Sequence, residues 1–400
     1  MSHWICCQIG AREHYAIPRA LHEIGQLAYL ITDAWVSPSS PFKYFPKGRL
    51  KERFHPALSS DKVRAFNTSL LGFELIQKFQ KTQDWDTIIN RNQWFQKQTI
   101  KMLKKLAPSF QQTPILFSYS YAALELFRFA KQQGWLTVLG QIDPGIFEEK
   151  IVTQLYTRYS QYGTDWQPAP QSYWQNWQEE CQLADVIMVN SQWSRQLLEQ
   201  AGVDPQKLHL IPLVYTPPAI AENWNRIYPV EFNHQRPLRV LFLGQVILRK
   251  GIAALLEAIK LLEGYPIEFW IVGPQQITIP PDFQYHDKIH WVAQVNRSKT
   301  AYYYQLADVF LFPTHSDGFG LTQLEAQAWQ LPIIASSFCG EVVQPDLNGL
   351  VLSEITGKAI ADSLLSCFHS PQQLAKFSQQ AMNSSIFSLF HLQDCLKNIF

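Results

Sequence analysis

LRVLFLGQVILRKGIAALLEAIKLL, residues 238–262, opens on a run that is apolar at five of its first six positions. It breaks at Gly244, crosses a short loop and enters an apolar-periodic stretch behind Arg249-Lys250-Gly251. Strand, loop and helix in that order form the front half of a β-α-β unit. The pattern recurs downstream in IEFWIVG (267–273), KIHWVAQV (288–295), YYYQLADVFLFPT (302–314), LPIIAS (331–336) and NGLVLS (348–353). Upstream it recurs in WICCQIG (4–10), YLITDAWV (29–36), ILFSY (115–119), LTVLGQIDPG (136–145), LADVIMVNSQ (183–192) and KLHLIPLVY (207–215). Strands that alternate with helices throughout a chain predict parallel sheets wound with helices.

The chain has 400 residues, too many for one ordinary core and suited to two α/β units. The polar, proline-flanked run after Pro217 and Pro218 reads as a linker. The expected division is an N-terminal domain over 1–218, a linker over 219–236, a second domain over 237–384 and a closing helix over 385–400. A hydrophobic content of 46% is that of a chain with a buried core, and a formal charge of +1 gives no overall attraction to nucleic acid. MSHWICCQIGAREHYA has no basic region leading into a long apolar run, so no secretory leader is expected, and no apolar run has the ~18 residues of a membrane span. The six cysteines show no Cys-x-x-Cys spacing, which points to reduced core thiols in a cytoplasmic protein and not to zinc or disulfides. Between 41 and 106 the chain carries 14 Lys or Arg against 5 Asp or Glu. That excess reads as a solvated helix face and loop, and alternatively as a peripheral contact with anionic lipid on the inner membrane face.

Two loops of the second half carry the candidate chemistry. In GQVILRKG, Gly244 ends a strand, and Gln245, Arg249 and Lys250 precede a helix. Two cations at a helix N-terminus oppose the helix dipole, so an anion such as a diphosphate is the expected partner. In HSDGFGLTQLEAQAWQLPIIAS (315–336), Asp317 precedes Gly318-Phe319-Gly320-Leu321, and Glu325 follows Asp317 by eight positions. The glycines let backbone N–H groups approach a ligand closely, and Glu325 lies in a mostly apolar helix where an idle carboxylate would be costly. It can accept hydrogen bonds from a vicinal diol such as ribose. In the first half, Gly10 and His14 lie on the first loop, Tyr119 ends a strand, and Asp143 with Glu148 follows another. Asp143 can equally serve as a turn residue.

With these residues in view, ADVFLFPTHSDGFGLTQLEAQAWQLPIIASSFCGEVVQPDLNGLVL resembles the signature of the retaining family-4, or group 1, glycosyltransferases. The resemblance covers 238–350 and extends back to LADVIMVNSQWSRQLLEQAGVDPQKLHLIPLVY, about half of the chain. It implies the GT-B fold, in which two doubly wound Rossmann-like domains face a central cleft. It implies transfer of a sugar from a nucleoside diphosphate sugar to a carbohydrate or glycolipid acceptor, with retention of configuration and no metal or other cofactor. Lys250 and Arg249 would neutralise the diphosphate leaving group, Glu325 would bind ribose, and Asp317 would lie by the donor sugar. Gly244, Gln245, Gly318, Phe319, Gly320 and Leu321 would complete the donor site, and Gly10, His14, Tyr119 and Asp143 would face the acceptor.

The sequence departs from that family at three places. Asp317 stands where Glu is usual, Gln245 where Arg is frequent, and Ser118-Tyr119-Ser120 where many relatives have His. Two further readings remain open: a catalytically degenerate nucleotide-sugar-binding protein, and a nucleotide-sugar epimerase, whose carboxylate pattern the chain does not resemble. Neither half has Gly-x-Gly-x-x-Gly after its first strand, which argues against a dinucleotide-dependent dehydrogenase.

Overall fold

The computed structural model describes residues 3–40, 53–80, 84–163, 166–381 and 385–400. The first seven strands are β1 (Trp4–Gln8), β2 (Leu27–Thr32), β3 (Val63–Ala65), β4 (Ile115–Tyr119), β5 (Leu136–Gly140), β6 (Val186–Val189) and β7 (Leu208–Leu210). They form one parallel sheet in the order β3-β2-β1-β4-β5-β6-β7. A second parallel sheet contains β8 (Leu238–Leu243), β9 (Ile267–Val272), β10 (Ile289–Val292), β11 (Val309–Phe312), β12 (Ile333–Ser336) and β13 (Gly349–Leu352). Its order is β10-β9-β8-β11-β12-β13. Each order reverses once, between β1 and β4 and between β8 and β11, and ligands of such sheets bind beyond the carboxyl ends of the strands at that reversal. Helices cover both faces of each sheet, which is why β1, β4, β11 and β12 are buried at every position.

Several strands stop earlier than their apolar runs. β2 ends at Thr32 because the next residue, Asp33, is fully buried and takes over as an acceptor. Its Oδ1 receives the N–H groups of Gly10 (2.9 Å) and Ala34 (3.0 Å), while Arg53 and Arg91 neutralise it at 3.3 and 2.8 Å. β7 ends before Pro212, which has no N–H to give a ladder. Ser191 caps the helix Gln192–Gln200 by accepting from Ser194 N, as its position before that helix predicts.

The basic segment supplies edge strand β3 and two helices, Asn67–Gln80 and Asp84–Leu106, while its residues 41–52 lie outside the described part. On the longer helix Phe95 and Leu103 are buried, and Lys97, Lys101, Lys104 and Lys105 face solvent, as on an ordinary amphipathic helix. Among the described residues no helix is long and apolar enough to cross a membrane.

The run 219–236 is not slack. Arg226 donates to the carbonyls of Tyr304 (2.6 Å), Trp329 (3.1 Å) and Ala307, and Arg236 forms a two-pronged pair with Asp308 at 2.6 and 2.8 Å. These contacts fasten the run to the second sheet's layer. The final helix, Leu389–Lys397, packs on Ala16–Glu23 of the first half, and its Leu392 and Leu396 join the core around Trp4 and Ile17. Where the chain crosses between the halves, Tyr215 N donates to Phe387 O at 3.1 Å, so the outgoing and returning segments touch.

Candidate active site

The two loops singled out after β8 and β11 meet at the mouth of the cleft. After Gly244 the chain makes a 3-10 turn, Leu248–Lys250, and Gly251 follows at φ +79° before the helix Ile252–Leu261. A Cβ at Gly251 would lie 1.9 Å from Pro313 O, so only glycine lets the cationic turn press against the end of β11. Arg249 O then accepts from His315 N (2.8 Å) and Thr314 Oγ1 (3.2 Å), while its guanidinium Nη1 reaches Ser316 O at 2.6 Å. Lys250 Nζ donates to Asp317 Oδ2 and sits 5.0 Å from the centre of the Phe312 ring. Burial, reinforced by Arg249, pushes the Lys250 ammonium down to about 7, with Glu148 acting in the opposite direction. Gln245 is exposed at the same turn.

At Gly318 the backbones of the two halves approach closely. A Cβ there would fall 2.1 Å from Ile142 O, beyond β5, and Gly318 O accepts from Ser194 Oγ at 3.3 Å. Phe319 turns inward, packing against Gly340 and edge-on against Phe387 at 5.9 Å. Its carbonyl is taken by Gly340 N (2.8 Å) and Gln323 Nε2 (2.9 Å), so its side chain belongs to the core and not to the cleft. Gly320, at φ +84°, and Leu321 lead into the helix Thr322–Ala328. On that helix Glu325 Oε2 accepts from Tyr304 OH at 2.8 Å, and burial raises its carboxyl against the opposing pull of Tyr304 and Arg297.

The first half contributes a carboxylate to the same junction. Glu148 stands in the first turn of the helix Ile146–Arg158 behind Gly145, where the helix dipole favours negative charge. Its Oε2 accepts from Ser316 Oγ at 2.7 Å and pairs with Arg249 Nη1 at 3.4 Å. Burial raises this carboxyl and Asp143 adds to the effect, while Arg249 and Ser316 oppose it. Trp193 Nε1 donates to Ser316 Oγ at 3.1 Å, so Ser316 bridges two elements of the first half.

The acceptor-side candidates diverge. Gly10, at φ +86°, has its N–H committed to Asp33 and no room for a Cβ beside Arg53, which makes it a structural glycine. Tyr119 ends β4 inside the core, 5.0 Å from Phe117, so its ring is a packing element; two residues on, Tyr121 reaches open space instead. Asp143 is a turn residue that also faces open space. It closes a turn by accepting from Gly145 N at 2.9 Å, and it accepts from Tyr121 OH at 2.5 Å while lining a cavity. His14 sits in a left-handed run with Glu13 and Tyr15 and accepts from the Arg297 guanidinium across the cleft. Burial, then Arg297, Arg19 and His55, hold its imidazole down at about 3, so it is neutral. It lines a cavity of about 400 Å³ with Arg19, His55, Tyr215 and Arg297. Sequence reasoning missed Tyr121, Tyr304 and Arg297, which sit in no motif, and Ser316, which lies beside Asp317 inside one.

Residues 227–384 match the family model described as glycosyl transferases group 1. A D-inositol 3-phosphate glycosyltransferase of Xylanimonas cellulosilytica is 30% identical over 193 residues, 42% of this chain and 44% of that protein. The matches to curated relatives span about half of those proteins or less. Sucrose-phosphate synthase from Thermosynechococcus elongatus superposes over 99% of this chain and 98% of its own, with a TM-score of 0.68 at 15% identity. HepE of Anabaena, crystallised with UDP, superposes over 99% and 98% with a TM-score of 0.61 at 14% identity. Over residues 227–384 this chain is similar to the group 1 glycosyl transferases, and the whole adopts the GT-B fold of two doubly wound units.

Proposed function

We propose that the protein transfers a sugar from a nucleoside diphosphate sugar to a carbohydrate or glycolipid acceptor, with retention of anomeric configuration. The observation that carries this reading is the convergence of Arg249, Lys250 and Asp317 on one mouth of the cleft, with Glu325 in the helix behind them. A departing diphosphate needs cations fixed in advance where charge develops, and a glycine-enforced turn fixes these two. In the resting site Asp317 and Glu148 occupy those cations. A diphosphate would displace these carboxylates and draw Lys250 into its charged form. Glu325, held by Tyr304, keeps a second oxygen for the ribose hydroxyls. Asp317, once displaced, lies by the donor sugar, where an oxocarbenium-like centre develops as the bond breaks. The UDP complex of HepE and the carbohydrate chemistry of the named relatives support a nucleotide donor of this kind.

The test is thermal stability with UDP, GDP, ADP and CDP added singly to the wild type and to Glu325→Ala. A diphosphate at about 100 times its Kd adds roughly 2.7 kcal/mol to the unit that binds it. One diphosphate raising the melting point, and Glu325→Ala losing the rise, is the expected result. No shift with any of the four would move the function to a site without a nucleotide. The anomeric configuration of the product, read by proton NMR, decides between retention and inversion.

A further inference from the structure

Beside the cleft lies a second cavity, of about 290 Å³, whose walls are six aromatic rings: Trp85, Tyr121, Tyr156, Trp166, Tyr173 and Trp174. We propose that it is the subsite for an uncharged glycosyl unit of the acceptor, an inference that rests on the glycosyl-transfer reading above. Its size is at the lower end of small-molecule sites, roughly 300–1,000 Å³, enough for a compact ring and not for an extended chain.

The rings are fixed before any ligand arrives. Tyr121 stacks on Tyr173 at 4.8 Å and 17°, and Tyr156 on Trp166 at 5.8 Å and 17°. Trp174 meets Tyr121 and Tyr173 edge-on at 6.1 and 5.3 Å. Three of the six polar ends are already engaged: Trp85 Nε1 donates to Gln167 O at 3.0 Å, Trp174 Nε1 to Glu149 Oε1 at 3.0 Å, and Tyr121 OH to Asp143. What these three offer a ligand is ring surface, which suits the C–H face of a pyranose.

The polar groups of the cavity are few. Glu148, Arg249 and Gln276 supply donors and acceptors for hydroxyls. A quaternary ammonium is the competing ligand, because Asp143 and Glu149 also line the space. These carboxylates, and Glu148 with them, already have protein partners: Asp143 Oδ1 accepts from Tyr121 and Gly145, Glu149 accepts from Trp174 and Ala169 on its two oxygens, and Glu148 Oε2 accepts from Ser316 and pairs with Arg249. Four of the six rings also pair face to face in twos, Tyr121 with Tyr173 and Tyr156 with Trp166. Eleven of the fourteen lining residues come from the first half, and Lys250, Asp317 and Glu325 are not among them. The cavity therefore lies outside the donor constellation and joins it through Arg249 and Glu148, so a unit seated there would present its hydroxyls to the reacting cleft.

The experiment is saturation-transfer NMR on the full chain with methyl glycosides of glucose, galactose, mannose and N-acetylglucosamine, each with and without UDP or GDP. At least one glycoside should receive saturation on its ring C–H protons, with the signal intact when UDP or GDP is present. It should fall at least five-fold in Trp166→Ala and recover in Trp166→Phe, and Trp85→Ala serves as the second variant if Trp166→Ala melts early. No saturated glycoside, or a signal unchanged in both alanine variants, overturns the subsite. So does displacement by UDP-glucose or GDP-mannose but not by UDP or GDP, which would put the donor's own sugar there. Trp166-dependent saturation of choline in place of the glycosides would make the cavity a cation site. Failure of every diphosphate to shift the melting point counts against the transferase reading alone, since the glycoside signal does not depend on it.

Discussion

Glu148 Oε2 and Ser316 Oγ, 168 positions apart in the chain, hydrogen-bond at 2.7 Å across the cleft, and Arg249 lies against the same carboxylate oxygen. One atom of the first half thereby holds both functional loops of the second. Glu148→Gln keeps the shape and removes the charge that shares Arg249 with an incoming diphosphate. Turnover should fall at least ten-fold, about 1.4 kcal/mol, while Kd for the nucleoside diphosphate holds or tightens. Steady-state kinetics beside calorimetric titration separate the two, and unchanged turnover would take Glu148 out of the reaction.

Lys250 gives a pH signature. Burial and Arg249 leave its ammonium titrating at about 7 in the free protein, and a bound diphosphate must raise that value. Binding above pH 7 therefore takes up a proton, and affinity falls toward ten-fold per unit between pH 7 and 9. Lys250→Arg, which stays charged, should flatten the profile, and Lys250→Ala should cut turnover at least ten-fold at pH 7. A flat wild-type profile would place Lys250 away from the phosphates.

Glu180 is a carboxyl whose protonation supports the fold. Burial raises it to about 7 from an ordinary 4.5, although it accepts from the N–H groups of Tyr121 (2.7 Å), Ala123 (2.9 Å) and Leu124 (3.0 Å). Between those values the folded state keeps a proton that the unfolded state has released, so stability drops as pH rises through the window. Relative to Glu180→Gln, which does not titrate, the wild type should lose up to about 3 kcal/mol between pH 4.5 and 7. Urea melts at pH 4.5, 6 and 7.5 check the sign.

Gly318→Ala would set a methyl carbon 2.1 Å from Ile142 O, and backbone on both sides leaves nothing flexible to yield. We expect a loss of roughly 1–3 kcal/mol and a turnover deficit out of proportion to it, because the halves must part. Wild-type kinetics in this variant would show that the closed contact is dispensable.

Metal removal should be silent. Among the described residues no group of three or more His, Cys, Asp or Glu is placed to hold an ion. With Arg249 and Lys250 proposed to neutralise the diphosphate, dialysis against EDTA should leave turnover within two-fold of the untreated protein, and recovery on adding magnesium or manganese would contradict that assignment.

The sequence made the parallel architecture legible because buried strands are continuous apolar runs, each closed by a turn. It also pointed to Arg249 with Lys250 and to Asp317 with Glu325, because each pair lies within one short stretch of chain. What it concealed was long-range. Tyr304 reaches Glu325 through the packing of the helix Arg297–Leu306, and Arg297 meets His14 from 283 positions away. Tyr119 and Tyr121 are two residues apart, and only the end of β4 between them decides which ring enters the core. The aromatic cavity draws on Trp85, Trp166 and Trp174, from three separate segments, so no local pattern announces it.

The backbone hydrogen bond from Tyr215 to Phe387 has a mechanical consequence. Both crossings between the halves pass through one place, and Arg226 and Arg236 leave no slack on the outgoing side. A rotation of the halves about this point would flex the 216–218 and 385–388 backbones together. A cross-link there would spare the sites at the far rim while freezing the swing that lets a substrate in.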